Sequence, residues 1–149
     1  MIKDISVVLL GAGKSKRFDT NTLKQNVKIH DKRVIDYSVD FFRKHFNASK
    51  KYFVINKKIQ LKTLTENEHI LYGSTSRLKS LNNCLDYISR NNLQTKYLLV
   101  HDVARPVLNL ADIKKIISEI HKKVDGSTLG YPLTNAVKEV KNNSIYSNI

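Results

Sequence analysis

The alternation of apolar and polar positions changes rhythm repeatedly along the chain. Ile5 to Leu10 is a branched, apolar run with no polar alternation after Ser6, the pattern of a strand covered on both faces in a parallel sheet. Shorter runs at Tyr52 to Ile55, Ile70 to Tyr72, Tyr97 to Val100 and Ser127 to Tyr131 predict four more strands. Between them the period lengthens. Ile35, Val39, Phe42 and Phe46 fall at helical spacing and predict an amphipathic helix over 34–46, and Leu78, Leu81, Leu85 and Ile88 predict a second. Ile113, Ile116, Ile117, Ile120 and Val124 mark a third, with Gly126 as its C-terminal cap. Val27 to Ile29 is a short apolar piece before a turn at Asp31-Lys32-Arg33, and 56–67 is polar and unpatterned. The tail, Ala136 to Lys141 and Ser144 to Ile149 around Asn142-Asn143, reads as a hairpin.

Strands alternating with helices predict an α/β fold: a Rossmann-like open, mainly parallel sheet with helices on both faces, carrying a C-terminal β-hairpin arm. Its 149 residues suit one domain, with a core over 1–133 and the arm over 134–149. In such sheets ligands bind beyond the carboxyl ends of the strands, where the strand order reverses. Polar loops at Gly11, Gly73 and Asp102 each follow a strand, so all three are expected along that edge.

The first loop, Gly11-Ala12-Gly13-Lys14-Ser15-Lys16-Arg17, removes side-chain bulk and then supplies cations, with Lys24 a short loop later. Bare backbone N-H groups beside positive charge suit anionic oxygens; a tight turn with a solvated basic flank has the same composition. It is neither of two familiar phosphate fingerprints, because Val8 stands where a Walker A loop needs its first glycine and Lys16 where the dinucleotide loop needs its third. Asp102, at the end of an apolar strand, suits Mg²⁺ completed by phosphate oxygens. Equally, it suits a turn before Pro106 with Arg105 as its ion-pair partner. His101 reads as a packed or hydrogen-bonding residue, since no second His or Cys stands at metal spacing. Cys84 reads as core.

Charge alters the picture little. Lys and Arg outnumber Asp and Glu by 26 to 13, for a net +13, yet the lysines are spread along the chain without aromatic interleaving, which argues against a nucleic-acid surface. No segment approaches a membrane span and no signal peptide is evident at the N-terminus. One cysteine allows no internal disulfide and fits a reducing compartment, so a cytoplasmic protein is expected.

Taken together, Gly11-Ala12-Gly13-Lys14-Ser15-Lys16-Arg17-Phe18, Lys24-Gln25, Gly73 with Arg77 and Ser80, and His101-Asp102-Val103-Ala104-Arg105-Pro106 resemble, in order and spacing, the 2-C-methyl-D-erythritol 4-phosphate cytidylyltransferases of non-mevalonate isoprenoid biosynthesis. The resemblance covers essentially the whole chain but only the first part of the family's length. It implies transfer of CMP from CTP to a sugar-alcohol phosphate with release of pyrophosphate. Gly11, Ala12 and Gly13 would cradle the nucleotide, and Gly73, Ser74, Thr75 and Ser80 would hold its cytosine and ribose end. Arg17 and Lys24 match the catalytic cations on the triphosphate, Asp102 the Mg²⁺ ligand and Arg105 the arginine of the same loop. The tail matches an arm that builds a homodimer and completes the acceptor site.

The chain also departs from the family's pattern. Gly11 replaces an alanine, Leu23 a proline, Ser74 a glycine and Asn26 an apolar residue, while Asn135-Ala136 stands for Asp-Thr, whose threonine helps bind the acceptor. The family's following Asp-Arg and its later C-terminal part lie beyond Ile149. Three expectations follow: a member of this enzyme group in truncated form, a relative acting on another polyol phosphate such as ribitol 5-phosphate, or a non-catalytic nucleotide-binding remnant.

Overall fold

The computed structural model describes residues 4–13, 22–62, 64–120, 124–132, 134 and 136–148. These fall into two compact units, residues 1–110 and 111–149.

The first unit is built on strand β1 (Ile5–Gly11), every residue of which is buried. A 3-10 turn (Lys24–Asn26) and a small hairpin of β2 (Lys28–Ile29) and β3 (Lys32–Arg33) lead into helix α1 (Val34–His45), then β4 (Lys51–Ile55), β5 (Glu68–Tyr72), helix α2 (Arg77–Arg90) and β6 (Tyr97–Asp102). The four long strands form one parallel sheet in the order β5-β4-β1-β6. Lys32 and Arg33 are strand and not turn: the reversal lies at His30, whose φ is +54°, and Asp31.

Side-chain alternation along β1 explains the two layers. Val8 and Leu10 join Tyr52, Val54, Cys84 and Ile88 in a cluster under α2. On the other face the alternate residues include His101, paired in register with Leu9 and packed against Ser38 and Phe42 of α1. A strand between two helices has no solvent face, which is why β1 lacks polar alternation.

The α2 stripe is rotated from the expected one. Its buried residues are Ser80, Cys84 and Ile88, whereas Leu78 and Leu85 are exposed. Ser80 sets this phase, because its hydroxyl is turned inward to bond the loop before the helix. Cys84 is core as expected: it is fully buried, and burial pushes its thiol up to about 12.

Charge is buried at the amino edge of the sheet. Arg43 of α1 donates Nε and Nη2 to the two carboxylate oxygens of Glu68, at 2.9 and 2.8 Å, and the Glu68 side chain is 1% exposed. Lys51 donates to the carbonyls of Asn47 and Ser49, at 3.2 and 2.9 Å, tying the end of α1 to the start of β4. Burial alone would raise the Glu68 carboxyl, but the Arg43 hydrogen bonds, the Thr65 N-H and the charges of Arg43 and Lys51 outweigh it and hold the group below its usual value.

In the second unit, α3 (Leu110–Glu119) is followed by strands β7 (Lys138–Lys141) and β8 (Ser144–Asn148). The hairpin is as expected: Asn142 and Asn143 both take positive φ, +51° and +60°, the demand of a tight two-residue turn. Ile149 lies outside the described residues. Two expectations are overturned. Residues 127–131 form no strand; Leu129 and Tyr131 are exposed, and Gly130 weakens any extended run. Gly126 does not cap α3, which ends at Glu119, and its φ is not positive. Instead the Ser127 hydroxyl donates to the Ile116 carbonyl at 2.9 Å, satisfying one of the acceptors a helix end leaves open.

Because Glu68 is held ionised by the fold, its contribution to stability is present above the ordinary carboxyl range and is lost as pH falls through its lowered value. Arg43→Ala is expected to cost about 2–3 kcal/mol near neutral pH by leaving a buried carboxylate short of its main partner. That loss should shrink steadily below about pH 4.5, the ordinary value of the group, as read from urea unfolding of both proteins across pH.

Candidate active site

The strand order reverses between β1, which has α1 and β4 to one side, and β6 on the other, so the carboxyl ends of these two strands mark the switch point. Leu10 and Asp102 are paired in register there, and the Val103 N-H donates to the Leu10 carbonyl at 3.0 Å. Asp102 is the last residue of β6, which runs two residues further than the apolar pattern indicates.

Gly11 ends β1, and the turn that follows is shaped by Gln25. This residue is 2% exposed, and its Nε2 donates to the carbonyls of both Gly11 and Gly13 at 3.0 Å. Satisfying two carbonyls from behind fixes the turn without using any of its N-H groups. Lys24, half-buried, directly precedes this clamp in the chain. Val103 fills the space over Gly11: a Cβ at Gly11 would sit 2.8 Å from a Val103 methyl carbon. The glycine in place of alanine is therefore matched by the valine that follows Asp102.

The loop after β5 is pressed against this turn. A Cβ on Gly73 would lie 1.9 Å from Cβ of Ala12 and 3.0 Å from the Ser80 hydroxyl, so only glycine permits the contact. Ser80, 4% exposed, accepts from the Ser74 N-H at 2.9 Å and donates to the Ser76 carbonyl at 2.7 Å. Its hydroxyl is thus occupied in building the loop. Ser76 caps α2 by accepting from the Lys79 N-H at 3.1 Å. Ala12, Gly73, Ser74 and Thr75 line a cleft of about 380 Å³ together with Ile55, Asn56, Lys57, Lys58 and Tyr72. The Lys57 ammonium stands 5.6 Å from the centre of the Tyr72 ring.

Asp102 has two cationic neighbours. Arg77 donates Nε to Oδ1 at 3.0 Å, and Nη2 of Arg105 stands 3.8 Å from Oδ2. The Arg105 N-H also donates to the Asp102 carbonyl at 3.0 Å, closing the turn. His101 is packed, as expected. Its Nε2 lies 3.2 Å from the Ser38 hydroxyl and its ring 5.4 Å from that of Phe42. Burial, the main cause, lowers its pKa. Arg17 lies outside the described residues, as do Lys14 to Lys16.

No group of three or more His, Cys, Asp or Glu residues that could hold a metal ion gathers among the described residues, and Asp102 is the carboxylate that ends β6. A single carboxylate is the donor set for Mg²⁺ that draws its other ligands from substrate phosphates and water. Asp102 fits that role and not that of a cage enclosing a resident ion.

Residues 5–148 match the family model for 2-C-methyl-D-erythritol 4-phosphate cytidylyltransferase, IspD. The chain belongs to this family. Among similar proteins, the 2-C-methyl-D-erythritol 4-phosphate cytidylyltransferase of Wigglesworthia glossinidia brevipalpis is 29% identical over 147 residues, covering 95% of this chain and 62% of its own. That of Haemophilus influenzae strain PittEE is 30% identical over 145 residues, with the same coverage. The chain thus spans about three fifths of the length of these relatives. Its fold is that of the Francisella tularensis 2-C-methyl-D-erythritol 4-phosphate cytidylyltransferase crystal structure, at a TM-score of 0.78 and 21% identity over 99% of this chain and 66% of that one.

Of the expected site residues, Gly11, Ala12, Gly13, Gly73, Ser74 and Thr75 meet at one edge of the sheet, and Lys24 is the chain neighbour of the Gln25 clamp. Asp102 and Arg105 sit at the neighbouring strand end. Sequence reasoning missed two parts. The clamp by Gln25 was signalled only by its place after Lys24, and the grip of Arg77 on Asp102 only by its place four residues after Gly73.

Proposed function

We propose that this chain binds CTP and a divalent cation along the switch-point edge and transfers CMP to 2-C-methyl-D-erythritol 4-phosphate, releasing pyrophosphate. The observation that carries the reading is the contact of the glycine turn with the Gly73 loop beside a strand-end carboxylate, in a chain of the IspD family. The backbone of Gly11 to Gly13 lies along the phosphates, while the loop of Gly73 to Thr75 and the cleft behind it take the cytosine end. Ser80 serves by fixing that loop.

In the reaction an oxygen of the acceptor phosphate attacks the α-phosphorus in line, a new P-O bond forms, and the bond to the β-phosphate oxygen breaks. The attacking phosphate is already ionised, so no general base is needed and the protein's work is placement and charge neutralisation. Lys24 supplies a point charge and Arg17 a planar fork to the triphosphate. Asp102 would hold the Mg²⁺ that accompanies the triphosphate, and the ion would supply positive charge to its oxygens. Arg105 balances the Asp102 carboxylate from the other side.

Ala136 lacks the hydroxyl that the family's pattern places at the acceptor, and Asn135 lies outside the described residues. Ribitol 5-phosphate is therefore the second acceptor to test. The arm supports a homodimer: Val140, Ile145 and Tyr146 are all more than 60% exposed on a two-stranded hairpin, and such a hairpin is marginal alone in water. A cytoplasmic setting is supported by the lone, buried, unpaired Cys84.

Lys24→Ala is expected to reduce CTP turnover by roughly a hundredfold or more, on the order of 3 kcal/mol of transition-state stabilisation. Pyrophosphate release with 2-C-methyl-D-erythritol 4-phosphate and with ribitol 5-phosphate is the readout; unchanged turnover in the variant, or no release from the wild type with either acceptor, contradicts the reading. Light scattering at micromolar concentration should give the mass of a dimer, and a strictly monomeric mass rejects the arm's role.

A further inference from the structure

Asp102 is gripped more closely by a residue of α2 than by its own loop. Arg77 is the first residue of that helix and its Nε is 3.0 Å from Oδ1, whereas the Arg105 guanidinium is beyond hydrogen-bond range of Oδ2 at 3.8 Å. The base of Arg77 is firmly held. Ser76 caps the helix beneath it, and Ser80 bonds both the Ser74 N-H and the Ser76 carbonyl. Arg77 thus joins the loop that lines the cleft to the carboxylate at the end of β6.

The pair contributes little to the stability of the fold. The Arg77 side chain is 62% exposed, and exposed ion pairs of this kind are weak. Its geometry is nonetheless specific: one directed hydrogen bond to one carboxylate oxygen, with the second oxygen outside any hydrogen bond to Arg77 or Arg105.

Resting on the nucleotide-binding role proposed above, we propose that Arg77 is the positioning residue for Asp102. Through Oδ1 it orients the carboxylate so that Oδ2 is presented to the divalent cation accompanying the triphosphate.

Electron paramagnetic resonance of Mn²⁺ in the presence of CTP tests this without turnover. Arg77→Ala, with wild-type circular dichroism, should weaken Mn²⁺ binding to the protein-CTP complex roughly three- to tenfold, the scale of one solvent-exposed charge-assisted hydrogen bond. Arg77→Lys should recover part of the loss. In an Asp102→Asn background the Arg77→Ala change should add nothing, since it acts through that carboxylate. Unchanged or tighter Mn²⁺ binding in Arg77→Ala overturns the proposal, as does an equal loss in the Asp102→Asn background, which would mean direct contact with the nucleotide. Absence of Mn²⁺-dependent CTP binding by the wild type removes the nucleotide site itself and the positioning role with it.

Discussion

Strand β1 is hydrogen-bonded in parallel on both edges and covered by helices on both faces, so it has no direction in which to meet water except along its own axis. Everything at the site depends on that confinement. The chain must leave the buried layer at Gly11, where backbone groups lose their ladder partners and need others. Gln25 satisfies the carbonyls of Gly11 and Gly13, and Val103 closes the space over Gly11. Parallel pairing then brings the ends of β5, β4 and β6 to the same edge, so residues far apart in sequence face one another without any long-range device beyond the sheet.

Glycine and serine do most of the fine placement. Gly73 lets two loops approach to a distance that any side chain would block, and Ser80 spends its hydroxyl on holding one of them. The result is a frame of closely packed backbone, with the Arg77 and Arg105 side chains on the strand-end carboxylate of Asp102. Such a frame suits a reaction in which the reactants carry their own charge and the protein must align them. The opposite edge of the sheet buries its charges in the Arg43-Glu68-Lys51 group, where they secure α1 to β4 and β5.

Much of this was legible in the sequence, for physical reasons that differ by element. The unbroken apolar run of β1 declared burial on both faces, and Asn142-Asn143 declared a turn because asparagine tolerates the positive φ that both residues adopt. The leucines of α2 misled, because Ser80 is drawn inward by hydrogen bonds that hydrophobic periodicity does not register. The apolar residues at 127–131 misled for a related reason: strand-like composition carries no ladder partner with it. Arg77 and Asp102 are twenty-five positions apart, and their pairing follows only once the sheet has set the end of β6 near the start of α2.

The central claim is that the glycine turn, the Gly73 loop and Asp102 form one site for a cytidine nucleotide with its cation. Calorimetric titration of the folded protein with CTP and Mg²⁺, alongside ATP and Mg²⁺ and alongside Asp102→Ala, tests it most directly. Saturable binding of CTP, much weaker binding of ATP, and loss of the Mg²⁺ dependence in Asp102→Ala is the expected outcome. No CTP binding by the folded wild type, or binding that neither distinguishes CTP from ATP nor responds to Asp102→Ala, would contradict it.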